Sequence, residues 1–520
     1  MPNRLRKADE DAIDNPVATT ARSWQPVQPI RANAGLLALI AALNASEIAY
    51  CFWKGSHRLA AALTGESDLD LLVSRRQASS LLQVMATHGF KHWPDIAGRD
   101  HPAMMSFFGH DESSGAISHV HVHFGMVYGN SLLKAYRLPG EVEFIGRSSF
   151  HPVYPVRVLH PVDEALLLIL HIQLETRRLD IVAASNWSAL LDKNWRAFAE
   201  LSGRVGEAEL HDRAAEIFSS RLARDIAAEF ASRRSVQSRG SLRRAIASEL
   251  VAYRMYGPLE TGLRTMARTV RFAANVVNRR NLQLPRPWGR RIPGGGLVIA
   301  FAGVDGSGKS TQVSGACDCL GRETDVLSMY FGTGDGRASL LLQPLKSLVP
   351  LISRFIKTKP RGASHGKISD RPPGLIYSLL FGVWATAVAL EKRHKIISAR
   401  RAANRGMIVI ADRYPQNEIA EFNDGPLLYR LPHAPGWLHR FEFSVYALAH
   451  ATPPDLVFKL QVGPEAVQAR EPDMRPGLVT KRIAWLDELK FPGARVVLVD
   501  ARLPLPQVTR IVRREIWNSL

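Results

Sequence analysis

The sequence predicts an α/β protein with a C-terminal parallel sheet, an N-terminal α+β domain and a helical middle segment. From Gly294 onward, apolar β-prone runs alternate with helical stretches, which indicates a parallel α/β sheet. Residues 31–150 mix helix-like runs with short strands such as LDLLV and HVHVHF. Residues 151–292 have the spacing of amphipathic helices, clearest in DEALLLILHIQLETRRL.

The chain has 520 residues, a length that suggests roughly two to four domains. The composition shift at RPWGRRIPGGG marks a linker. The predicted divisions are a flexible polar tail over 1–30, an α+β domain over 31–150, a basic helical region and linker over 151–292, and an α/β domain over 293–520.

Composition and charge narrow the class of protein. The net charge of +19 favours anionic partners such as nucleotides or acidic membrane surfaces. The three cysteines, Cys51, Cys317 and Cys319, give no disulfide framework, and the N-terminal residues have no apolar secretory core. We therefore expect a cytoplasmic protein. The apolar run 374–390 is slightly shorter than a membrane span and is expected to form a buried core helix, with a span as the alternative.

The stretch GVDGSGKST, residues 303–311, follows a β-prone run and precedes a helical segment. It fits the phosphate-loop pattern G-x-x-x-x-G-K-S in the strand–loop–helix context that this pattern requires, and so predicts a P-loop NTPase fold. Glycines let backbone N–H groups converge on phosphate oxygens, and the helix N-terminus adds its dipole. The predicted nucleotide-binding residues are Gly303, Gly306, Ser307, Gly308, Lys309, Ser310 and Thr311.

Four of the residues in this part of the chain have expected chemical roles. Lys309 would reach the β- and γ-phosphates of ATP, and the Ser310 hydroxyl would bind Mg²⁺. The run GMIVIADRYP predicts a buried strand that ends in Asp412 and Arg413. The Asp412 carboxylate can hold Mg²⁺ or its water, and the Arg413 guanidinium can bind an acceptor phosphate through two hydrogen bonds.

Four blocks, FAGVDGSGKST, ADRYP, PDLVFKLQVGPEAVQAR and VLVDARLPLPQV, together resemble thymidylate kinase and its relatives in order and spacing. The resemblance runs from residue 297 to the C-terminus and implies phosphoryl transfer from ATP with Mg²⁺. It places Asp305 near the acceptor nucleotide and Arg413 on the acceptor phosphate. It also implies a mobile lid, with an exposed basic helix as the alternative, at Arg470, Arg475, Lys481 and Arg482.

The sequence departs from that family where the acceptor binds. The family's Arg-Glu-Pro-Gly-Gly-Thr motif after the second strand is replaced here by MYFGTGDGR, residues 329–337. An extra stretch follows over 338–372, and NEIAEFNDGPLL lacks the family's thymine-recognising residues. The cluster of Gly332, Gly334, Asp335, Gly336 and Arg337 predicts either a different acceptor site or a surface turn. Transfer from ATP is therefore better supported than dTMP as the acceptor.

A second pattern lies in WKGSHRLAAALTGESDLDLLV, residues 53–73. Asp68 and Asp70 alternate on a predicted strand, so both carboxylates point to one face and can hold Mg²⁺. Gly-Ser followed by Asp-x-Asp resembles the nucleotidyltransferase core, over roughly residues 45–125. In SHVHVHF, His121 stands where that family has a third carboxylate, with Glu141 and Glu143 as substitutes. An altered active transferase, a degenerate ligand-binding fold and an unrelated α/β fragment remain open.

The middle of the chain is strongly basic. Residues 231–292 contain fourteen arginines and only two acids, and Arg264, Arg268 and Arg271 have helical spacing. A basic amphipathic helix can lie on an anionic membrane surface, and the alternative is a helix face packed on the phosphate-loop domain. No nucleic-acid module is recognisable, so no specific nucleic-acid partner is expected.

Three functions are compatible with these patterns. The first is an ATP-dependent kinase of the nucleoside monophosphate type, with dTMP as a plausible acceptor. The second is a kinase and nucleotidyltransferase fusion that acts on another phosphate or sugar acceptor in surface-polysaccharide metabolism, by analogy alone. The third is a non-catalytic protein that is switched by nucleotide. The expected partners are a nucleotide, a small phosphorylated acceptor and an anionic membrane surface, and a homodimer is left open.

Overall fold

The structure is a computed structural model, and the element numbers used here run over the residues that it describes. These are residues 32–96, 100–176, 184, 186–232, 236–278, 284–332, 375–420, 422–423, 425–472, 474 and 476–520. The tail predicted over 1–30 lies outside them.

A seven-stranded mixed sheet forms the N-terminal part, beside a two-stranded antiparallel ribbon of β6 and β7. The strands are β1 (Tyr50–Phe52), β2 (Leu69–Val73), β3 (Lys91–His92), β4 (Met104–His110), β5 (Ile117–His123), β6 (Met126–Gly129), β7 (Lys134–Leu138), β8 (Ser149–Phe150) and β9 (Arg157–Val158). The order in the large sheet is β3-β4-β5-β2-β1-β9-β8. β2 and β5 run parallel, and Asp70 lies opposite His121 in their register.

The N-terminal and middle helices share a hydrophobic core with this sheet. The helices are α1 (Ala34–Ala45), α2 (Leu59–Thr64), α3 (Ala78–Thr87), α4 (Glu141–Gly146), α5 (Pro161–Glu175), α6 (Trp187–Ser202), α7 (Glu207–Ala215), α8 (Ser220–Ala231), α9 (Gly240–Glu249) and α10 (Pro258–Val277). Cys51 and Leu72 from the sheet pack in one cluster with Phe198 of α6 and Ile226 of α8. Burial against the sheet therefore stabilises the middle helices.

Helix α10 turns its apolar side chains outward. Arg268 and Asn275 are buried, and Arg268 donates to the carbonyl oxygens of Leu132 and Asp100. The exposed side chains include Leu259, Leu263, Met266, Val270 and Val277. Arg268, which helical spacing grouped with Arg264 and Arg271, therefore points inward, because backbone carbonyls there accept its guanidinium hydrogens.

Five parallel strands form the C-terminal sheet, in the order β11-β12-β10-β13-β14. The strands are β10 (Val298–Gly303), β11 (Val326–Tyr330), β12 (Ile408–Asp412), β13 (Leu456–Gln461) and β14 (Arg495–Asp500). The helices are α11 (Lys309–Gly321), α12 (Leu375–Asn404), α13 (Gly436–Ala451), α14 (Pro464–Arg470), α15 (Pro476–Glu488) and α16 (Leu505–Ser519). The prediction of an α/β protein with a parallel C-terminal sheet is confirmed.

The apolar run predicted over 374–390 is helical from Leu375 onward, within α12. It buries Ala385 and Ala389 and leaves Leu375 and Leu379 exposed. Among the helices of the described residues, none combines the length and the apolar character that crossing a membrane requires.

The two sheets belong to one compact unit over residues 32–520. Trp517 of α16 lies 5.7 Å from Trp93 between ring centroids, and Lys91 donates to the Trp517 carbonyl. In the linker, the Asp325 carboxylate accepts the backbone N–H groups of Trp288 and Gly289 at 2.8 and 2.6 Å. These contacts tie the linker and the last helix to both sheets.

Gly296, just before β10, provides a test of this packing. A Cβ atom there would lie 1.8 Å from the Met407 carbonyl oxygen, so backbone would have to move. We expect Gly296→Ala to lower the free energy of unfolding by about 1–3 kcal/mol or more, measured as a lower melting temperature. Gly262→Ala on α10, where a Cβ meets open space, is the control and should leave stability equal or slightly higher. Equal melting temperatures for the two variants would contradict the packing described.

Candidate functional sites

The loop between β10 and α11 lies at the point where the strand order of the C-terminal sheet reverses. β10 pairs with β12 on one side and with β13 on the other. The strands that follow β10 in the chain therefore lie first toward one edge of the sheet and then toward the other. Ligands bind at such switch points, outside the carboxyl ends of the strands. Gly306 and Gly308 have φ values of 78° and 88°, a region that glycine enters without strain. Ser310 and Thr311 are exposed in the first turn of α11.

Lys309 lies folded back onto this loop. Its ammonium donates to the carbonyl oxygens of Gly303 at 2.8 Å and Val304 at 2.7 Å. Burial lowers the pKa of Lys309 to about 8, and the neighbouring Arg413 contributes in the same direction. The two carbonyls therefore hold a cation that solvent does not stabilise.

Three cations surround the Asp305 carboxylate inside the loop. Arg413 donates to Oδ1, Arg482 donates to Oδ2 at 2.7 Å, and the Lys309 ammonium lies 3.9 Å away. Burial raises the pKa of Asp305, but the charges of Arg413, Lys309 and Arg482 outweigh it, and the pKa is lowered. Because one carboxylate neutralises only part of this charge, the cluster can receive a further anion.

Asp412 and Arg413 stand at the carboxyl end of β12. Asp412 is buried and pairs in register with Phe301 of β10. Arg413 has φ of 60°, a strained conformation for a residue other than glycine, and its N–H donates to the Phe301 carbonyl. Such strain costs about 1–3 kcal/mol and concentrates at functional sites. It turns the Arg413 side chain toward Asp305.

The positions predicted for a lid separate into three groups. Arg470 donates to the Gly306 carbonyl at 2.8 Å, and Arg482 binds Asp305, so both lie on the loop. Lys481 lies over the Trp485 ring, 4.6 Å from its centroid. Arg475 lies outside the described residues. So do Gly334, Asp335, Gly336 and Arg337 of the cluster predicted for the acceptor, and the stretch 338–372.

In the N-terminal sheet, the Gly-Ser pair is held by a glutamate that sequence reasoning missed. Glu164 of α5 accepts the backbone N–H of Ser56 at 2.7 Å and its hydroxyl at 3.1 Å. Burial raises the pKa of Glu164 despite these bonds. An acid within the apolar run DEALLLIL was the signal, because a buried charge requires a specific partner.

Asp68 and Asp70 bind nitrogen groups of the neighbouring strand β5. Asp68 lies 3.0 Å from His119 Nδ1. Asp70 Oδ1 lies 3.5 Å from His121 Nδ1 and 3.2 Å from His123 Nε2. Burial alone would raise the pKa of Asp70, but Lys54 and the two histidines hold it well below its usual value.

Of three other charged residues considered for this cluster, one lies at Asp70 and two bind elsewhere. Lys54, which sequence reasoning passed over although it precedes the Gly-Ser pair, lies 3.2 Å from Asp70 Oδ1. Glu141 and Glu143, predicted as substitute carboxylates, instead bind Arg137 and Arg213. The structure thus brings histidines and a lysine to Asp70.

The N-terminal cluster reaches the end of α11, the helix that follows the glycine loop. His119 lies 3.9 Å from the carboxylate of Glu323, just beyond α11. Arg290 of the linker lies close to both Glu323 and Asp95. Burial raises the pKa of Glu323.

The relatives found by comparison with known proteins include two from Escherichia coli strain K12. The chain is 29% identical over 227 residues to the uncharacterized ATP-binding protein YghS, a match that covers 43% of this chain and 93% of the relative. It is 25% identical over 228 residues to the uncharacterized ATP-binding protein YghR, covering 42% of this chain and 84% of the relative. No protein-family model matches the chain.

Because the pKa of Lys309 is lowered in the folded chain, the free energy of unfolding should depend on pH. Below pH 8 the lysine is protonated in both folded and unfolded chains, and the fall in pKa from 10.5 to about 8 corresponds to a cost of about 3 kcal/mol. This cost disappears as pH rises through 8 toward 10.5, because the unfolded chain then holds more protons than the folded one. The stability of the wild type relative to Lys309→Met should therefore rise by about 2–4 kcal/mol over that range, measured by denaturant unfolding. Lys490→Met, at an exposed lysine, controls for loss of one charge, and a pH-independent difference for Lys309→Met would refute the assignment.

Proposed function

We propose that the C-terminal part binds ATP with Mg²⁺ and transfers the γ-phosphoryl group to a small phosphorylated acceptor of the nucleoside monophosphate type. The observation that carries this proposal is the arrangement of Lys309, Arg413 and Arg482 around Asp305, directly on a glycine loop at the switch point of a parallel sheet. In the proposed reaction these cations would lie between the donor and acceptor phosphate groups. Their charge suits a transition state whose oxygens carry spread negative charge.

The relatives support the nucleotide part of the proposal, since both carry names that describe ATP-binding proteins. The matched length, 227 residues, is comparable with that of the segment 293–520. Because the glycine loop also lies in this segment, we propose that it is the part that binds ATP.

Each residue of the loop has a role in the proposed reaction. Lys309 would leave the Gly303 and Val304 carbonyls and bind the phosphates, while Arg413 would hold the acceptor phosphate. Oxygen ligands suit Mg²⁺, and the exposed Ser310 hydroxyl and the Asp412 carboxylate at the strand end are the residues that would hold it. Bound Mg²⁺ would neutralise phosphate charge, and the protein would align donor and acceptor in line.

The acceptor panel tests this proposal. Wild type with ATP and Mg²⁺ is offered dTMP, other nucleoside monophosphates, sugars and water. We expect transfer to at least one phosphorylated acceptor, and a fall of about 100-fold or more in kcat/KM for Lys309→Ala. Lys490→Ala is the matched control and should keep full activity. A folded Lys309→Ala protein that retains substantial activity would refute the mechanism, and ATP binding without any transfer would favour the non-catalytic switch.

For the N-terminal part we propose ligand binding rather than Mg²⁺-dependent nucleotidyl transfer. The observation in favour is that Asp68 and Asp70 are bound by His119, His121, His123 and Lys54. Nitrogen groups there occupy carboxylate oxygens that two Mg²⁺ ions would need.

We also propose that α10 associates with an anionic membrane surface. Leu263, Met266 and Val270 lie exposed along one side of this helix, and Arg264 is half-exposed beside them. A helix of this kind lies in the interface with its apolar side in the lipid and its basic groups near the headgroups.

Vesicle sedimentation tests the membrane proposal. Wild type should pellet with vesicles that contain anionic phosphatidylglycerol, less so at high salt, and Val270→Glu should reduce pelleting severalfold. Val142→Glu, at an equally exposed valine on α4, is the control and should behave like wild type. Absence of pelleting with anionic vesicles, or equal effects of the two substitutions, would remove the idea.

A further inference from the structure

Three potential metal ligands converge on one face of the N-terminal sheet. Asp70 Oδ1 lies 3.5 Å from His121 Nδ1 and 3.2 Å from His123 Nε2, and all three ligand atoms lie within 4.8 Å of one another. In a tetrahedral site with metal–ligand bonds of about 2.0–2.1 Å, ligand atoms are separated by about 3.3–3.4 Å. The two separations from Asp70 Oδ1 therefore already match those around a bound ion.

The backbone fixes this geometry without help from an ion. Asp70 and His121 are partners in the parallel register of β2 and β5, and His123 follows two residues later on the same face of β5. His123 is fully buried, with its ring 4.9 Å from that of Trp53 in an edge-on contact. Ligands held on paired strands lose little freedom when a metal binds.

We propose that Asp70, His121 and His123 form a site for a divalent transition-metal ion such as Zn²⁺, whose open position takes a phosphate-bearing anion from an adjoining cationic cavity. One carboxylate and two imidazoles suit Zn²⁺ and related ions, whereas Mg²⁺ prefers oxygen ligands. Three protein ligands leave a fourth position for another molecule. This site is separate from the phosphate loop, and the inference does not depend on phosphoryl transfer there.

The cavity gives the chemical class of that molecule. It has a volume of about 240 Å³, and His121 lies in its wall, so metal site and cavity share a residue. Of the described residues that line it, Asp95 is the single acid. The cationic lining residues are Lys54, Lys134, Arg268, Arg271 and Arg290. Five basic side chains against one acid in the lining suit a phosphate-bearing ligand.

Lys54 connects the two parts of the site. Its ammonium lies 3.2 Å from Asp70 Oδ1, the atom that would bind the metal, and the same side chain lines the cavity. A metal ion and the ammonium repel each other and compete for one oxygen. Lys54 would therefore move into the cavity when metal binds, where it can pair with the anion.

Cobalt binding to the full chain, without nucleotide, tests the metal site. Wild type should bind one equivalent of Co²⁺ with the visible absorption of a tetrahedral ion. His121→Asn and Asp70→Asn should each weaken binding by at least about tenfold and abolish that band. His211→Asn, which alters a partly exposed histidine paired with Asp212, is the control and should keep it. Absence of the band in wild type, or its survival in His121→Asn, would overturn the proposal.

The Lys54→Met variant shows whether weaker Co²⁺ binding in the other variants comes from loss of a ligand or from damage to the fold. Removing the competing ammonium should tighten Co²⁺ binding by about fivefold, and damage to the fold cannot produce such a gain. Unchanged or weaker binding would count against a site at Asp70 Oδ1.

Inorganic pyrophosphate, added to the cobalt-loaded protein, should then shift the visible band, and Arg271→Gln should raise the pyrophosphate concentration needed by at least about threefold. A band insensitive to pyrophosphate would exclude the phosphate-bearing ligand.

Discussion

The parallel pairing of β10 with both β12 and β13 determines the geometry of the C-terminal site. It places the end of β10, and so the glycine loop, beside the carboxyl end of β12, where Asp412 and Arg413 stand. Arg413 then turns toward Asp305 through a left-handed backbone conformation. A strand order without this reversal would separate the loop from the acid and the guanidinium, because neither lies near the loop in sequence.

The surplus positive charge of the chain is partly turned inward. Lys309, Arg413 and Arg482 share one carboxylate at Asp305, and Lys54 with two histidines shares another at Asp70. Buried cations normally require matching acids, since desolvation outweighs what an unpaired charge gains. Around Asp305 three cations share the carboxylate, so a bound anion there would relieve repulsion as well as form hydrogen bonds. At Asp70 burial lowers the pKa of His121 and His123, so the cation that the carboxylate pairs with is Lys54.

The sequence predicted the parts of this architecture that local patterns encode. Strand periodicity and the glycine spacing predicted the C-terminal parallel sheet and the position of its loop, and the resemblance to the nucleotidyltransferase core implied that His121 lies beside Asp70. The sequence did not predict that Arg268 points inward, because helical spacing shows which residues share a face but not which face packs against the protein. Glu164 and Lys54 were missed for a related reason. Their partners, Ser56 and Asp70, are chosen by tertiary packing rather than by spacing along the chain.

Helix α11 separates the two candidate sites and constrains how they can act together. Lys309 begins this helix, and Glu323, which faces His119, follows shortly after its end. Thirteen helical residues span about 20 Å, at about 1.5 Å each. Reacting atoms in a direct transfer must approach to about 3–3.5 Å, so a phosphoryl group on the loop cannot pass straight to a ligand at Asp70. If both proposals hold, the two sites bind separate ligands, and a link between them would run through the helix and the Glu323, His119 and Arg290 contacts rather than through a shared substrate.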